Sequence, residues 1–287
     1  MITFVNAKIN LGLNIVGRRP DGYHNLETVF YPVGKGSGLP RRPGFMNDII
    51  EVIPAETDGL EQKGFIADCP ADDNLVMKSL ALFRREALHK DVEVGPKKLI
   101  LEKHIPFGAG LGGGSADASF TLLTLNNLYG NLFSEDELLK MANVLGADCP
   151  FFIINCPVFA EGTGDIISAV SLDLSDYWIA IVKPDISVST RDAFSCVVPS
   201  TPEISLKEII CMPVDVWKEY MVNDFENSVF RKYPELKKIK EHLYEKGAVY
   251  ASMSGSGSSF YGIFKDNVGA LDAASSAQCP FFDVSRL

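Results

Sequence analysis

The sequence predicts a folded protein of mixed strand and helix, long enough at 287 residues for two domains of ordinary size or for one large α/β unit with a deep interior. Three observations support this. Hydrophobic residues make up 46% and charged residues 22%, with no low-complexity tract, the balance of a chain that buries a core. Runs rich in β-branched residues, bounded by glycine and proline, alternate with segments whose apolar residues recur at helical spacing. Between Lys98 and Tyr129 a strand, a glycine-rich loop and a helix follow one another directly.

The opening stretch Ile2 to Val16 reads as a strand, closed by the turn Gly17-Arg-Arg-Pro-Asp-Gly22. Residues 26–33 read as a second strand. Residues 34–47, with four glycines, two prolines and three basic residues, predict an exposed loop, and strand character resumes from Asp48 to Ile53. Leu75, Leu80, Leu82 and Phe83 mark a helix over 74–88, with Asp72 or Asp73 as its expected cap. Lys98 to Lys103 is a short strand. Beyond the glycine loop, Ala118, Leu122, Leu125 and Leu128 form the apolar stripe of a helix over 115–129. Ser134 followed by Glu137 is a capping-box start for a helix through Leu145, with Gly146 as its stop and a loop from Ala147 to Pro150. A second section is expected after about residue 160, with a strand at 178–183, helical segments near 206–220 and 234–246, and strands flanking Ser254 to Ser258.

The net charge of −10 argues against a nucleic-acid groove or an anionic membrane as partner, since both require a concentrated basic surface. Any phosphate binding must be local. Cys69, Cys149, Cys156, Cys196, Cys211 and Cys279 form no Cys-x-x-Cys pair and keep no metal-ligand spacing with histidine, so they read as reduced core thiols. The first residues lack the apolar region of a signal peptide, and no run of about 18 apolar residues is present; a cytoplasmic location is the expectation.

Residues 105–118 place five glycines within seven positions immediately before a helix. Glycine lets backbone N–H groups turn inward and approach an anion, and the start of a helix adds free N–H groups and positive potential. The combination is a polyphosphate cradle; a tight turn needing glycine only for packing is the plainer reading. Gly108-x-Gly110-x-x-Gly113 satisfies the dinucleotide fingerprint, but the acidic residue expected about 20 residues on, at a strand end, is missing. No Lys-Ser or Lys-Thr follows the last glycine, so the nucleoside-triphosphate P-loop pattern fails too, and the protein-kinase motifs His-Arg-Asp and Asp-Phe-Gly do not occur.

Pro106-x-x-x-Gly110-Leu111-Gly112-Gly113-Gly114-Ser115-Ala116-Asp117-Ala118 resembles the second signature of the GHMP kinase superfamily. Asn6-Ala-Lys8-Ile9-Asn10, Arg19-Pro-Asp-Gly-Tyr23-His24, Gly146-Ala-Asp148-Cys-Pro150 and Met253-Ser-Gly-Ser-Gly-Ser258 are similar to one branch of it, which phosphorylates 4-diphosphocytidyl-2-C-methyl-D-erythritol in the non-mevalonate isoprenoid pathway. The resemblance spans nearly the whole chain. It implies an α+β, two-domain GHMP kinase fold: a domain like ribosomal protein S5 domain 2 over 1–160 and a ferredoxin-like domain over 161–287. It also implies ATP with Mg²⁺, and transfer to the 2-hydroxyl of the cytidyl compound. The loop at 34–47 and the ending Cys279-Pro-Phe-Phe-Asp-Val-Ser-Arg-Leu287 depart from the pattern.

Phosphoryl transfer to an alcohol needs in-line geometry, cations around the phosphoryl oxygens and an acceptor for the hydroxyl proton. Asp148, beside a Pro-Phe-Phe stretch, is the candidate acceptor; alternatively it caps a turn. The resemblance makes it the base and pairs it with Lys8, a lysine among apolar strand neighbours that would stabilise transition-state charge. A snorkelling strand lysine is the plainer reading. Asn10, on the same side of the strand as Lys8, is a candidate substrate contact. The resemblance assigns Pro106, Gly108, Gly110, Leu111, Gly112, Gly113, Gly114, Ser115 and Ala116 to the ATP phosphates, with Ser115 also a candidate for Mg²⁺ or one of its waters. Asp117 reads as a first-turn acid without a metal role. Ser254 and Gly255 match the third GHMP signature, against a simple hairpin turn. Tyr23 and His24 match the residues that hold cytosine, by stacking and by hydrogen bonding to the base edge, and Phe194 is the candidate for its other face. His89, His104 and His242 are left as ordinary surface or core residues.

Overall fold

The computed structural model describes residues 1–34 and 46–287, so residues 35–45 of the expected loop lie outside the described residues. Elements in chain order are β1 (Ile2–Arg18), β2 (His24–Val33), β3 (Asn47–Pro54), β4 (Gly59–Gly64), α1 (Leu75–Leu88), β5 (Lys97–Lys103), α2 (Gly113–Leu128), α3 (Glu135–Leu145) and α4 (Cys149–Ile154). They continue with β6 (Val158–Glu161), β7 (Ile166–Ala169), β8 (Trp178–Lys183), α5 (Thr190–Phe194), α6 (Leu206–Ile209), α7 (Trp217–Tyr220), α8 (Phe225–Lys232), α9 (Pro234–Glu245), β9 (Tyr250–Met253), β10 (Phe260–Phe264), α10 (Asn267–Ser276) and β11 (Phe281–Arg286). The described residues divide into two compact units.

The first unit comprises residues 1–7, 46–107 and 112–156. Its sheet runs β4-β5-β3-β1, with β3 antiparallel to both β1 and β5 and β4 parallel to β5. In β5, Leu99, Leu101 and Lys103 alternate inward, so the lysine is in phase with the core. Asp72 and Asp73 lie in a 3₁₀ turn, and the cap of α1 is instead Asn74, whose extended backbone aims its side-chain oxygen at the Val76 N–H, 3.0 Å away. Helix α2 begins two residues earlier than its stripe suggested, after Gly112 in the left-handed region, and Leu128 is exposed because the burial faces end at Leu125 and Asn126. Ser134 and Glu137 form the expected capping box of α3, and Gly146 ends it. The expected loop over 147–150 is shortened by α4: Pro150 pre-sets the first helical turn, and Phe151, Phe152 and Ile153 are buried.

The second unit comprises residues 8–45, 108–111 and 157–287, of which 35–45 are not described. One sheet runs β1-β2-β6-β7; the other, β11-β8-β10-β9, is antiparallel throughout. Its core includes Leu13, Ile15, Val182, Phe225, Val229, Leu243, Phe260 and Ala273. The helical region near 206–220 is broken into α6 and α7 around Pro213. The C-terminal residues form β11 beside β8. Of the cysteines only Cys149 is buried, while Cys69, Cys196 and Cys211 are exposed, so the expectation of core thiols holds for one of them; all six are free. No helix among the described residues is long and apolar enough to cross a membrane.

Candidate active site

In the second unit, β1 carries Lys8 and Asn10 on one side, as a two-residue strand repeat requires. Both are buried, and a directed chain links them: Lys8 Nζ donates to Asn10 Oδ1 at 2.6 Å, Asn10 Nδ2 to Thr28 Oγ1 at 3.0 Å, and Thr28 Oγ1 to the Gly12 carbonyl at 2.6 Å. Each donor fixes the orientation of the next acceptor, so the ammonium is held in place rather than snorkelling outward. The Lys8 ammonium also lies 4.5 Å from the centroid of the Phe30 ring.

The glycine loop enters this unit at residues 108–111. Three consecutive carbonyls are held by protein donors: Ala109 O by the Ser259 N–H at 3.2 Å, Gly110 O by Ser254 Oγ at 2.7 Å, and Leu111 O by the Lys8 N–H at 3.0 Å. In a trans peptide the N–H points opposite to its C=O, so the N–H groups of Gly110, Leu111 and Gly112 each face away from the donor that holds the carbonyl of the same peptide. Gly110 is required on two counts. Its φ is +75°, and a Cβ there would sit 1.9 Å from the Ser254 carbonyl oxygen. Gly108, at φ +58°, faces open space. Ser254 is buried, its hydroxyl proton committed to Gly110, and its oxygen also accepts the Asn10 N–H at 3.3 Å; Gly255 has φ +56°.

The aromatic group is in the same unit. Phe194, at the end of α5, stacks on His24 with ring centroids 4.7 Å apart, and packs edge-on against Phe225. Tyr23 is 67% exposed at the turn before β2, where its N–H donates to Asp21, itself paired with Arg19. A planar ring can lie against these side chains.

In the first unit, Gly112 (φ +71°) is the N-cap of α2, and Gly113, Gly114 and Ser115 open its first turn, where backbone N–H groups have no partner within the helix. Gly113 is needed for space rather than for a left-handed backbone: its Cβ would lie 2.8 Å from Ile105 and 3.2 Å from the Lys103 ammonium. Pro106 leads into the loop half-buried, and Ala116 is fully buried in α2. Asp148 occupies the N-cap position of α4, with no side-chain capping hydrogen bond to that helix. It is half-buried, and its neighbour Cys149 is anchored to α2 because the Cys149 carbonyl accepts from Ser119 Oγ at 2.8 Å; burial pushes the Cys149 thiol up to about 11.

Sequence reasoning missed the charges beneath Gly113. Lys103 is fully buried between Asp48 and Asp117, its Nζ donating to Asp48 and, at 2.6 Å, to Asp117. Asp48 also accepts the His104 and Ile105 N–H groups at 2.6 and 2.8 Å, which seats the entry to the loop. Burial pushes the Asp117 carboxyl well above the usual carboxylate range, only partly offset by Lys103. On Lys103, burial lowers and the two carboxylates raise the pKa, and the carboxylates prevail. The in-phase Leu99, Leu101, Lys103 alternation was the available signal.

The glycine-only clearance at Gly110 in the second unit, and the N–H groups without helical partners in the first turn of α2 in the first, are each features that a polyphosphate such as ATP fits. Among the described residues no group of three or more His, Cys, Asp or Glu is placed to hold a metal ion.

The chain matches the family models of the GHMP kinases N terminal domain over residues 74–155 and of the GHMP kinases C terminal region over 215–281. It is 52% identical over 265 residues to a 4-diphosphocytidyl-2-C-methyl-D-erythritol kinase of Parabacteroides distasonis, covering 92% of each chain. It is 52% identical over 264 residues to the protein of that name in Bacteroides fragilis, again covering 92% of each. A crystal structure of a 4-(cytidine 5'-diphospho)-2C-methyl-D-erythritol kinase superposes with a TM-score of 0.81 at 30% identity, over 99% of this chain and 98% of that one. A homoserine kinase from Cytophaga hutchinsonii, 18% identical with a TM-score of 0.63, shares the fold over 98% of this chain and 93% of that one.

Proposed function

The chain belongs to the GHMP kinases, among the 4-diphosphocytidyl-2-C-methyl-D-erythritol kinases, and is an ATP-dependent kinase of isoprenoid precursor synthesis; we propose how its residues direct phosphoryl transfer to the 2-hydroxyl of that cytidyl compound. Residues 1–160 would form the ATP-binding, catalytic part and 161–287 the C-terminal part. Asp148 takes the proton of the attacking hydroxyl. Its half-buried place at the start of α4 supports this reading. Lys8, held by Asn10, stabilises the charge that develops in transfer, and Asn10 contacts the acceptor.

The ATP phosphates lie along Pro106, Gly108, Gly110, Leu111, Gly112, Gly113, Gly114, Ser115 and Ala116, through the N–H groups of residues 110–112 and those of the first turn of α2. Mg²⁺ accompanies the nucleotide and supplies charge neutralisation at the transferring phosphoryl group. Ser254 and Gly255 border the acceptor beside Asn10. The net charge of −10 favours a small-molecule site over nucleic acid or an anionic membrane, and a cytoplasmic location accords with it.

The acceptor's base is the discriminating feature, and the observation that carries it is the His24–Phe194 stack at 4.7 Å. Cytosine is held by Tyr23 and His24, through ring stacking and a hydrogen bond from the imidazole, while Phe194, expected on the base's other face, backs the imidazole directly, since rings 4.7 Å apart leave no room for a base between them. Stacking contributes about 1–3 kcal/mol per base. Tyr23→Ala and His24→Ala are therefore each expected to lower kcat/KM for the cytidyl acceptor about 10-fold or more, with the KM for ATP nearly unchanged. Steady-state kinetics with each substrate varied in turn provides the check, and equal losses toward both substrates would contradict the assignment.

A further inference from the structure

Asn223, just before α8, is buried and uses its whole amide within the second unit. Its Nδ2 donates to two carbonyls, Met253 O and Gly255 O, both at 2.8 Å, and its Oδ1 accepts the Phe225 N–H at 3.0 Å. Only an amide can give two protons and take one in this arrangement. One helical turn on, Glu226 Oε1 accepts the Met253 N–H at 2.9 Å and Ser252 Oγ at 3.1 Å, while its other oxygen meets Lys240 at 2.6 Å. The turn from Met253 to Ser259 is thus gripped at its C=O groups by Asn223 and at the Met253 N–H by Glu226 of α8. That turn in turn grips the glycine loop, through Ser254 Oγ on Gly110 O and the Ser259 N–H on Ala109 O.

We propose that Asn223 is a positioning residue for ATP: through the Met253–Ser259 turn it fixes the peptide planes after Ala109 and Gly110, and so aims the N–H groups of Gly110 and Leu111 at the phosphates. The inference rests on the kinase reading above. It adds a residue outside the recognised motifs, placed two bonded contacts from the loop, whose effect on the nucleotide must exceed its effect on the cytidyl acceptor.

The test uses the full chain. Asn223→Asp keeps the size but sets an acceptor against two carbonyls, and Asn223→Ala removes the grip; each is expected to raise the KM for ATP about 10-fold or more, with the acceptor's KM changed less than about 3-fold. Ser254→Ala cuts the next link and should likewise raise the KM for ATP about 10-fold or more; since Ser254 also borders the acceptor, only the KM for ATP is read for this variant. The double variant Asn223→Ala/Ser254→Ala should lose clearly less than the product of the single effects, as residues acting through one link do. A merely structural role would lower Tm and the active fraction while leaving both KM values in place, and that result overturns the proposal. If the Asn223 variants do not fold, Ser254→Ala decides, and an unchanged KM for ATP overturns the chain of contacts. Calorimetric titration of the unmutated protein with a non-hydrolysable ATP analogue separates the two readings. Failure of the analogue to bind would defeat the kinase assignment itself, whereas normal binding retained in the Asn223 variants would defeat only this inference.

Discussion

Asp148 stands at a helix start without capping it, and Lys8 is buried on β1 with its ammonium fixed by Asn10. An Asp148→Asn variant keeps the shape and loses the proposed proton acceptor, so kcat is expected to fall on the order of 10²-fold or more while an ATP analogue binds as before. Calorimetry and turnover on the same preparation check both halves; near-normal turnover would remove Asp148 from the chemistry. The glycines make a second contrast. Gly110→Ala places a methyl carbon 1.9 Å from a backbone oxygen and should abolish nucleotide binding, whereas Gly108→Ala meets open space and bears only the left-handed strain of about 1–2 kcal/mol. Comparable loss at both positions, measured by titration, would mean that strain and not close approach governs the loop. Which residue types stand in the site was legible in the motifs. Which glycine needs conformation and which needs clearance was not, because that depends on Ser254 and Ile105, distant in sequence.

At the scale of elements, β5 ends in a lysine that shares the inward register of Leu99 and Leu101, and α2 and β3 each bring it a carboxylate. Asp48→Ala strands Lys103 and two backbone N–H groups, each unsatisfied donor costing about 1–3 kcal/mol, so it should destabilise the protein far more than Asp117→Asn, which leaves the Lys103–Asp48 pair in place. Urea unfolding at neutral pH ranks the two. The pH dependence has a definite sign. Because the folded pKa of Asp117 is raised, the folded protein keeps this proton where the unfolded chain, with an aspartate near pKa ~3.9, has released it. Its contribution to stability is present below that range and is lost as pH rises through the folded value, and Asp117→Asn should flatten this decline. An unchanged slope would show that Asp117 titrates like an exposed carboxyl. The strands and helices with strong periodicity were legible. The short edge strand β4, with the sequence Gly-Leu-Glu-Gln-Lys-Gly, was not, since it carries no β-branched residue and is held by its pairing with β5. Helix α4 was hidden by its brevity and by the proline that starts it.

For the whole molecule, an acidic chain that handles polyanions must do so without a basic surface, and the structure supplies instead backbone N–H groups aimed by their own carbonyls' partners. That device leaves a glycine pattern in the sequence, which is why the family could be recognised. Asn223 and Glu226 leave none, since they act through another loop. In the proposed reading the choice of acceptor rests on the aromatic group at Tyr23, His24 and Phe194, which has no counterpart need in a kinase of a small alcohol. A site built to hold a base penalises a substrate lacking it. The most direct measurement is therefore ATP turnover by the unmutated protein against 4-diphosphocytidyl-2-C-methyl-D-erythritol, methylerythritol 4-phosphate, homoserine and mevalonate under one set of conditions. Turnover of the cytidyl compound with kcat/KM at least about 100-fold above the others is the expected result, and equal phosphorylation of any acceptor without cytosine would contradict the account.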